Sequence, residues 1–160
     1  MKVEEAFTAD LATCGADWTV SAAACVMWER DCGALPVVDS RGRILGMISD
    51  RDITIAATTK NRLPSDIRVS EVMTSRVHSC RPEHDLREAL KRMAEGRIRR
   101  LPVVDADGRL LGILSITDLV QRSLEGALPA QEVLRTYSRI CTPWRRTSPP
   151  PELPVFGERV

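Results

Sequence analysis

Residues 101–119 read LPVVDADGRLLGILSITDL, and residues 35–53, sixty-six positions earlier, read LPVVDSRGRILGMISDRDI. Aligned without a gap, 11 of the 19 positions are identical. Four more exchange one aliphatic side chain for another, at Ile44/Leu110, Met47/Ile113, Ile48/Leu114 and Ile53/Leu119. A repeat this dense sets the architecture before local propensity is consulted. Each copy reads as a hairpin followed by a helix. Leu-Pro-Val-Val-Asp is a short apolar strand with proline near its start, where a missing N–H is tolerated. Asp39 to Gly42 and Asp105 to Gly108 are turns, with glycine supplying a positive φ. The second strand, Ile44 to Ile48 or Leu110 to Leu114, contains Gly46 or Gly112, which signals a bulge or the close approach of backbone or ligand. Ser49-Asp-Arg-Asp52 and Ser115-Ile-Thr-Asp118 then open a helix.

Working outward, Val3, Glu5, Thr8 and Cys14 recur as Val69, Glu71, Thr74 and Cys80. Val20, Ala23, Ala24, Met27 and Trp28 stand at helical spacing, as do Leu86, Ala89, Leu90, Met93 and Ala94. Each repeat therefore predicts a short N-terminal segment, a strand around Leu11 or Val77, an amphipathic helix, a two-strand hairpin and a second helix. Pro82 and Glu83 lead into the first helix of the second copy. The stretch from Thr58 to Arg68 is polar around a central proline and reads as a linker. The division expected is residues 1–62 for the first repeat, 63–124 for the second, 125–141 for a C-terminal amphipathic helix and 142–160 for a Pro-rich flexible tail. In the helix, Val133, Leu134, Tyr137 and Ile140 are expected on one face.

The 160 residues carry a net charge of +1, with 43% hydrophobic and 28% charged residues. That is a soluble globular composition with no global attraction for nucleic acid or membrane. Six aromatic residues leave little stacking surface for nucleic acid. The five cysteines show no C-x-x-C and no zinc spacing, which points to reduced thiols in the cytoplasm. Glu4 and Glu5 near the start, without an apolar run after them, do not read as a secretory signal. His78 and His84 have no partner pattern for a triad or a metal. No nucleophile–base constellation suggests an enzyme.

At Gly46-MISDRD and Gly112-ILSITD the chain resembles the CBS domain family, and the tandem arrangement is similar to a CBS pair, or Bateman module. The resemblance spans roughly residues 1–124 and rests on LPVVD, the G-R-x-x-G turn and strand, and the Gly-h-h-Ser-x-x-Asp ending, each occurring twice. It implies an α/β (α+β) fold in which two small sheets with flanking helices are related by a pseudo-twofold. It also implies clefts for adenosine-containing ligands, AMP, ADP, ATP or S-adenosylmethionine, with no cofactor required. Carried over, Asp52 and Asp118 accept ribose hydroxyls, and Ser49 and Ser115 face phosphates or ribose. Met47 with Cys32, and Ile113 with Ile98, wall the adenine. Thr13 and Ser79 occupy the first-strand position that often meets ligand, and Arg99 and Arg100 lie where phosphates are met. The family habit further implies a homodimer, with Trp28 at or near the interface, and a regulated protein partner.

The chemistry of these residue types agrees with that assignment. A carboxylate is a pure acceptor and suits a vicinal diol. The amides opening a helix attract anions, and arginine adds charge-assisted phosphate contacts. Arg99-Arg100 aligns with Gly33-Ala34, so the two clefts are not expected to be equivalent. Ser-x-x-Asp at a helix start is equally the pattern of a capping box, which needs no ligand. Capping alone leaves the glycine three residues before each serine unexplained. A ligand-free module that docks on a partner protein is the alternative function.

Overall fold

A computed structural model describes residues 1–142; the tail expected at 142–160 lies outside the described residues from position 143 on. The first half holds β1 (Cys14–Gly15), α1 (Val20–Glu29), β2 (Ala34–Val38), β3 (Ile44–Ser49) and α2 (Asp50–Thr59). The second holds α3 (Leu86–Gly96), β4 (Arg100–Val104), β5 (Leu110–Ser115) and α4 (Ile116–Leu124), and α5 (Ala130–Cys141) follows. β2 pairs antiparallel with β3, and β4 with β5, in identical register sixty-six residues apart. β1 lies parallel to β2. Its counterpart is a single parallel bridge from Cys80 to Val103. The strand expected around Leu11 or Val77 is thus three residues further on and very short, because a parallel ladder here is limited to the cysteine that enters the core. The buried thiols of Cys14 and Cys80 are each pushed up to about 11 by desolvation.

The turns form as the sequence predicts. Asp39 Oδ1 accepts from the Arg41 and Arg43 amides at 2.9 Å each, and Asp105 Oδ1 does the same for Asp107 and Arg109. Gly42 and Gly108 take φ +75° and +78°. In β3 and β5 the ladder slips between Val37 and Val38, and between Val103 and Val104, leaving Leu45 and Leu111 as bulged residues.

Gly46 and Gly112 mark something further, since the segment pressed against each strand comes from the other repeat. Thr74 and Met47 exchange amide bonds of 2.9 and 3.0 Å, while Thr8 and Ile113 exchange two of 2.9 Å. A Cβ on Gly46 would sit 2.9 Å from the Thr74 carbonyl and from Met73 Sδ. One on Gly112 would collide with the Phe7 ring and the Thr8 carbonyl. The 3-10 turn Val3–Glu5 therefore buries Val3 in the second core, with Leu86, Leu101 and Leu114, and the turn Val69–Glu71 buries Val69 in the first, with Val20, Leu35 and Ile48. Ile67, in the expected linker, is also wholly buried in the first core.

These contacts are reciprocal. At the hairpin tips the Ile44 amide donates to Gly108 O and the Leu110 amide to Gly42 O, at 3.1 and 2.9 Å. Contacts that recur with the partners exchanged define a local twofold. Its axis runs between the two sheets.

The first helix of each repeat begins at a side-chain cap, Thr19 for α1 and Asp85 for α3. α3 buries all five apolar positions expected of it, whereas on α1 only Val20, Ala23 and Met27 are buried and Trp28 is 88% exposed. The difference is α5, which lies against α3 and α4 and has no counterpart on α1 and α2 among the described residues. α5 turns Val133, Thr136 and Ile140 inward, while Leu134 and Tyr137 are 66% and 44% exposed. The face expected for α5 is corrected by that rotation. A strip of positions i, i+3 and i+7 suffices to seat it between two helices.

Gly112→Ala should cost about 1–3 kcal/mol, the usual range for forcing atoms into a packed contact. Gly46→Ala should cost less, because its overlaps with the Thr74 carbonyl and Met73 Sδ, both at 2.9 Å, are shallower than those at Gly112 and the Met73 side chain can yield. Urea unfolding of the two variants compares them directly.

Candidate functional site

Each half ends its hairpin on a serine that caps the following helix. Ser49 Oγ and its amide both donate to Asp52 Oδ2, at 2.7 and 2.9 Å, and the Asp52 amide donates back to Ser49 Oγ at 3.3 Å. Ser115 and Asp118 repeat this at 2.7, 2.7 and 3.2 Å. Both are complete capping boxes. Only Oδ2 is engaged in each, and Oδ1 accepts no hydrogen bond among the described residues.

The exchanged lead segments place each capping box at the rim of a cleft. The first cleft, about 740 Å³, is floored by Met47, Ser49, Asp52 and Ile55 of the first half. It is closed by Thr74, Arg76, Val77 and His78, and by Arg97, Ile98, Arg99, Arg100 and Pro102 of the second half. The second, about 300 Å³, is lined by Ile113, Ser115, Thr117 and Asp118, by Thr8, Asp10, Leu11 and Ala12, and by Arg30, Cys32, Ala34, Pro36 and Arg100. Nearly every residue of one has its counterpart, sixty-six positions away, in the other.

Met47, Ser49, Asp52, Ile98, Arg99 and Arg100 are brought together in the first cleft, and Cys32, Ile113, Ser115 and Asp118 in the second. The apolar pairs are crossed relative to expectation: Met47 faces a cleft with Ile98, and Ile113 one with Cys32. The cause is again the exchange, since each cleft takes its strand end from one half and its helix–strand loop from the other. Neither Thr13 nor Ser79 is among the residues lining the two clefts. Ser79 lies on a separate polar groove with Arg81, His84 and Arg92, and the side chains ahead of the first strand that reach the clefts are Leu11, Ala12, Val77 and His78.

Sequence reasoning missed Arg51, Arg76 and Arg97, all lining the first cleft. The signal was available in the repeat offset, which sets Arg76 against Asp10, Arg97 against Asp31 and Arg51 against Thr117. Arg97 ends α3 in the left-handed region, φ 50° and ψ 42°, and its counterpart Asp31 does the same after α1 at φ 48°, so the turn belongs to the fold of both repeats. None of the five cleft arginines has a carboxylate partner among the described residues, although arginines elsewhere pair with Asp39, Glu71, Glu88 or Glu125. The anion site expected at the start of α2 is already filled. The Arg51 amide donates to Asp50 Oδ1 at 2.7 Å, the Asp50 amide to Gly33 O, and the Asp52 amide to Ser49. Phosphate in this cleft would therefore meet guanidinium groups rather than the helix amides.

The CBS domain family model matches residues 3–58 and 69–125. The chain belongs to the CBS domain family, as a tandem pair. It is 39% identical over 127 residues to the CBS domain-containing protein YhcV of Bacillus subtilis (strain 168), covering 78% of this chain and 89% of that protein. Hypoxic Response Protein I, solved with two coordinated zinc ions, superposes with a TM-score of 0.69 at 30% identity, covering 76% of this chain and 98% of that one. Among the described residues here, no three His, Cys, Asp or Glu side chains are grouped as a metal ion requires. A CBS domain pair in complex with 5′-methylthioadenosine and S-adenosyl-L-methionine shares the fold, with a TM-score of 0.70 at 23% identity over 80% of this chain and 98% of that one.

Removing the cap hydroxyl isolates the structural role of the motif. Ser49→Ala and Ser115→Ala should each lower stability by about 1 kcal/mol, read as a lowered Tm with the helices otherwise retained.

Proposed function

We propose that this CBS pair is a non-catalytic sensor of an adenosine-containing ligand, AMP, ADP, ATP or S-adenosylmethionine, that signals through conformation or oligomeric state. The observation that carries this reading is the half-used aspartate at each cleft. Asp52 and Asp118 orient their carboxylates by capping with Oδ2 and keep Oδ1 as an unengaged acceptor. A fixed carboxylate is suited to a ribose diol. Ser49 and Ser115 stand beside it to face ribose or phosphate. Met47 with Ile98, and Ile113 with Cys32, supply apolar walls for the base. Arg99 and Arg100 meet phosphates in the first cleft. The ligands held by the fold neighbour belong to the same class.

Cytoplasmic action fits five free cysteines, and no helix among the described residues is long and apolar enough to cross a membrane. Nothing in the charge pattern calls for nucleic acid. The partner is a second copy of the chain, together with whatever protein reads its state. α1 and α2 leave between them a groove of about 450 Å³ lined by Ala24, Met27, Trp28 and Ile53. It is the face that α5 covers on the other half.

A second reading, a ligand-free docking module, is favoured by the completeness of the capping boxes, which account for serine and aspartate without any ligand.

Asp52→Asn separates the two readings. Asparagine retains an acceptor for the cap but loses the charge on the ribose. A hydrogen bond to a charged group contributes ~1.5–3 kcal/mol, so calorimetric affinity at that cleft should fall about tenfold or more with little change in Tm. Absence of binding by the wild type to any adenosine ligand would favour the docking module. For assembly, light scattering should show a dimer, and Trp28→Glu should give a folded monomer. A wild-type monomer at high concentration would exclude this interface.

A further inference from the structure

We infer that the two clefts are sorted by ligand charge: the first selects a nucleotide with two or more phosphates, and the second takes an adenosine compound without a phosphate. The inference rests on the adenosine reading of the clefts and adds to it the ligand class of each.

The first cleft gathers five arginines against one aspartate, Asp52. The second holds two arginines, Arg30 and Arg100, against two aspartates, Asp10 and Asp118. The folding frame is the same in both, so the contrast lies in exposed side chains that packing does not dictate. Arg76 stands where the second cleft has Asp10 and Arg51 where it has Thr117, while Arg97 and Arg99 correspond to Asp31 and Gly33, neither of which lines the second cleft. Each of these differences adds positive charge to the first cleft, and among the lining residues only Arg30, whose counterpart is Gly96, runs the other way.

Converging guanidinium groups without carboxylate partners repel one another, and a polyanion relieves that repulsion while accepting bidentate hydrogen bonds. With the α2 amides already engaged, affinity for a phosphate chain depends chiefly on the arginines. In the second cleft a phosphate would enter beside the Asp10 carboxylate and meet like charge. A neutral or cationic adenosine compound meets no such penalty there.

Arg100 sharpens the division. It lines both clefts, and so does its counterpart Ala34, which is too small to fill the space beside the twofold axis. A phosphate chain that draws Arg100 into the first cleft leaves the second with Arg30 alone against two aspartates. Filling the first cleft thus strengthens the rejection of anions by the second.

The experiment is calorimetric titration of the full chain with adenosine, AMP, ADP, ATP and inorganic tripolyphosphate. ATP should bind at one equivalent per chain, with affinity rising from adenosine to ATP by about tenfold for each phosphate that gains an arginine contact. Replacing Arg76 and Arg99 with their first-repeat counterparts, as Arg76→Asp with Arg99→Gly, should reduce the ATP-to-adenosine affinity ratio at least tenfold. Should that double variant fail to fold, Arg76→Gln serves, with a smaller reduction expected. Two equal ATP sites, a ratio unchanged in the variants, or adenosine bound as tightly as ATP would each overturn the charge sorting and leave the adenosine reading standing. Tripolyphosphate binding that depends on Arg76, without any binding of adenosine, would keep the cationic cleft and overturn the adenosine reading. Binding of neither would overturn both.

Discussion

Two backbone segments pressed against two glycines hold this molecule in its arrangement. At Gly46 and Gly112 the lead segment of the opposite repeat comes so close that a Cβ has no room, and it adds a pair of amide hydrogen bonds to each sheet edge. Each half then borrows a buried valine, Val3 or Val69, from its neighbour in sequence. Neither half completes its core without the other, which makes the two repeats one cooperative unit. The same crossing creates the clefts, since a strand end from one half is brought opposite a helix–strand loop from the other. Function and folding therefore depend on one contact, and it has to be made by glycine.

The Ser-x-x-Asp motif posed a choice between a helix cap and a ligand site, and its geometry shows why the choice is not forced. A carboxylate has two oxygens and about four lone-pair positions. The cap takes one oxygen and, in doing so, fixes the rotamer and direction of the other. A side chain pre-oriented in this way loses little freedom on binding, the usual advantage of preorganisation. The structural role is thus a precondition of the proposed one, and the motif's two occurrences are consistent with both.

Much of this was legible in the sequence because it is local. The hairpin turns follow from Asp39, Gly42, Asp105 and Gly108, and the caps from Ser49 and Ser115, all within a few residues of their partners. The repeat offset carried the twofold as well. The exchange of lead segments was not legible, because Thr8 meets Ile113 across more than a hundred residues and no short-range pattern encodes the partner. That one unknown explains the crossed apolar pairs. The displacement of the first strand to Cys14 and Cys80 has a separate cause, as only those residues enter the core beside Val37 and Val103. The rotation of α5 and the exposure of Trp28 were hidden for a related reason. Ala94 and Trp28 occupy equivalent helix positions, and only the presence of α5 over α3 buries one and leaves the other bare.

The twofold is kept where packing demands it and broken where water allows it. Buried pairs such as Val37 and Val103, Ile48 and Leu114, or Val20 and Leu86 stay aliphatic and within one methylene of each other in volume, since a large unmatched volume in either core would cost both halves. Exposed pairs carry no such constraint, and Asp10 with Arg76, or Asp31 with Arg97, reverse their charge within the same fold. The charged cleft carries some self-repulsion that does not serve the fold, whereas the left-handed turn at Arg97 does, because its counterpart Asp31 takes φ 48° after α1 as Arg97 takes φ 50° after α3. Unpaired charge that packing does not require is a feature of places where a molecule meets something else. On this chain that charge gathers at the first cleft, beside the carboxylate that the helix cap holds in place.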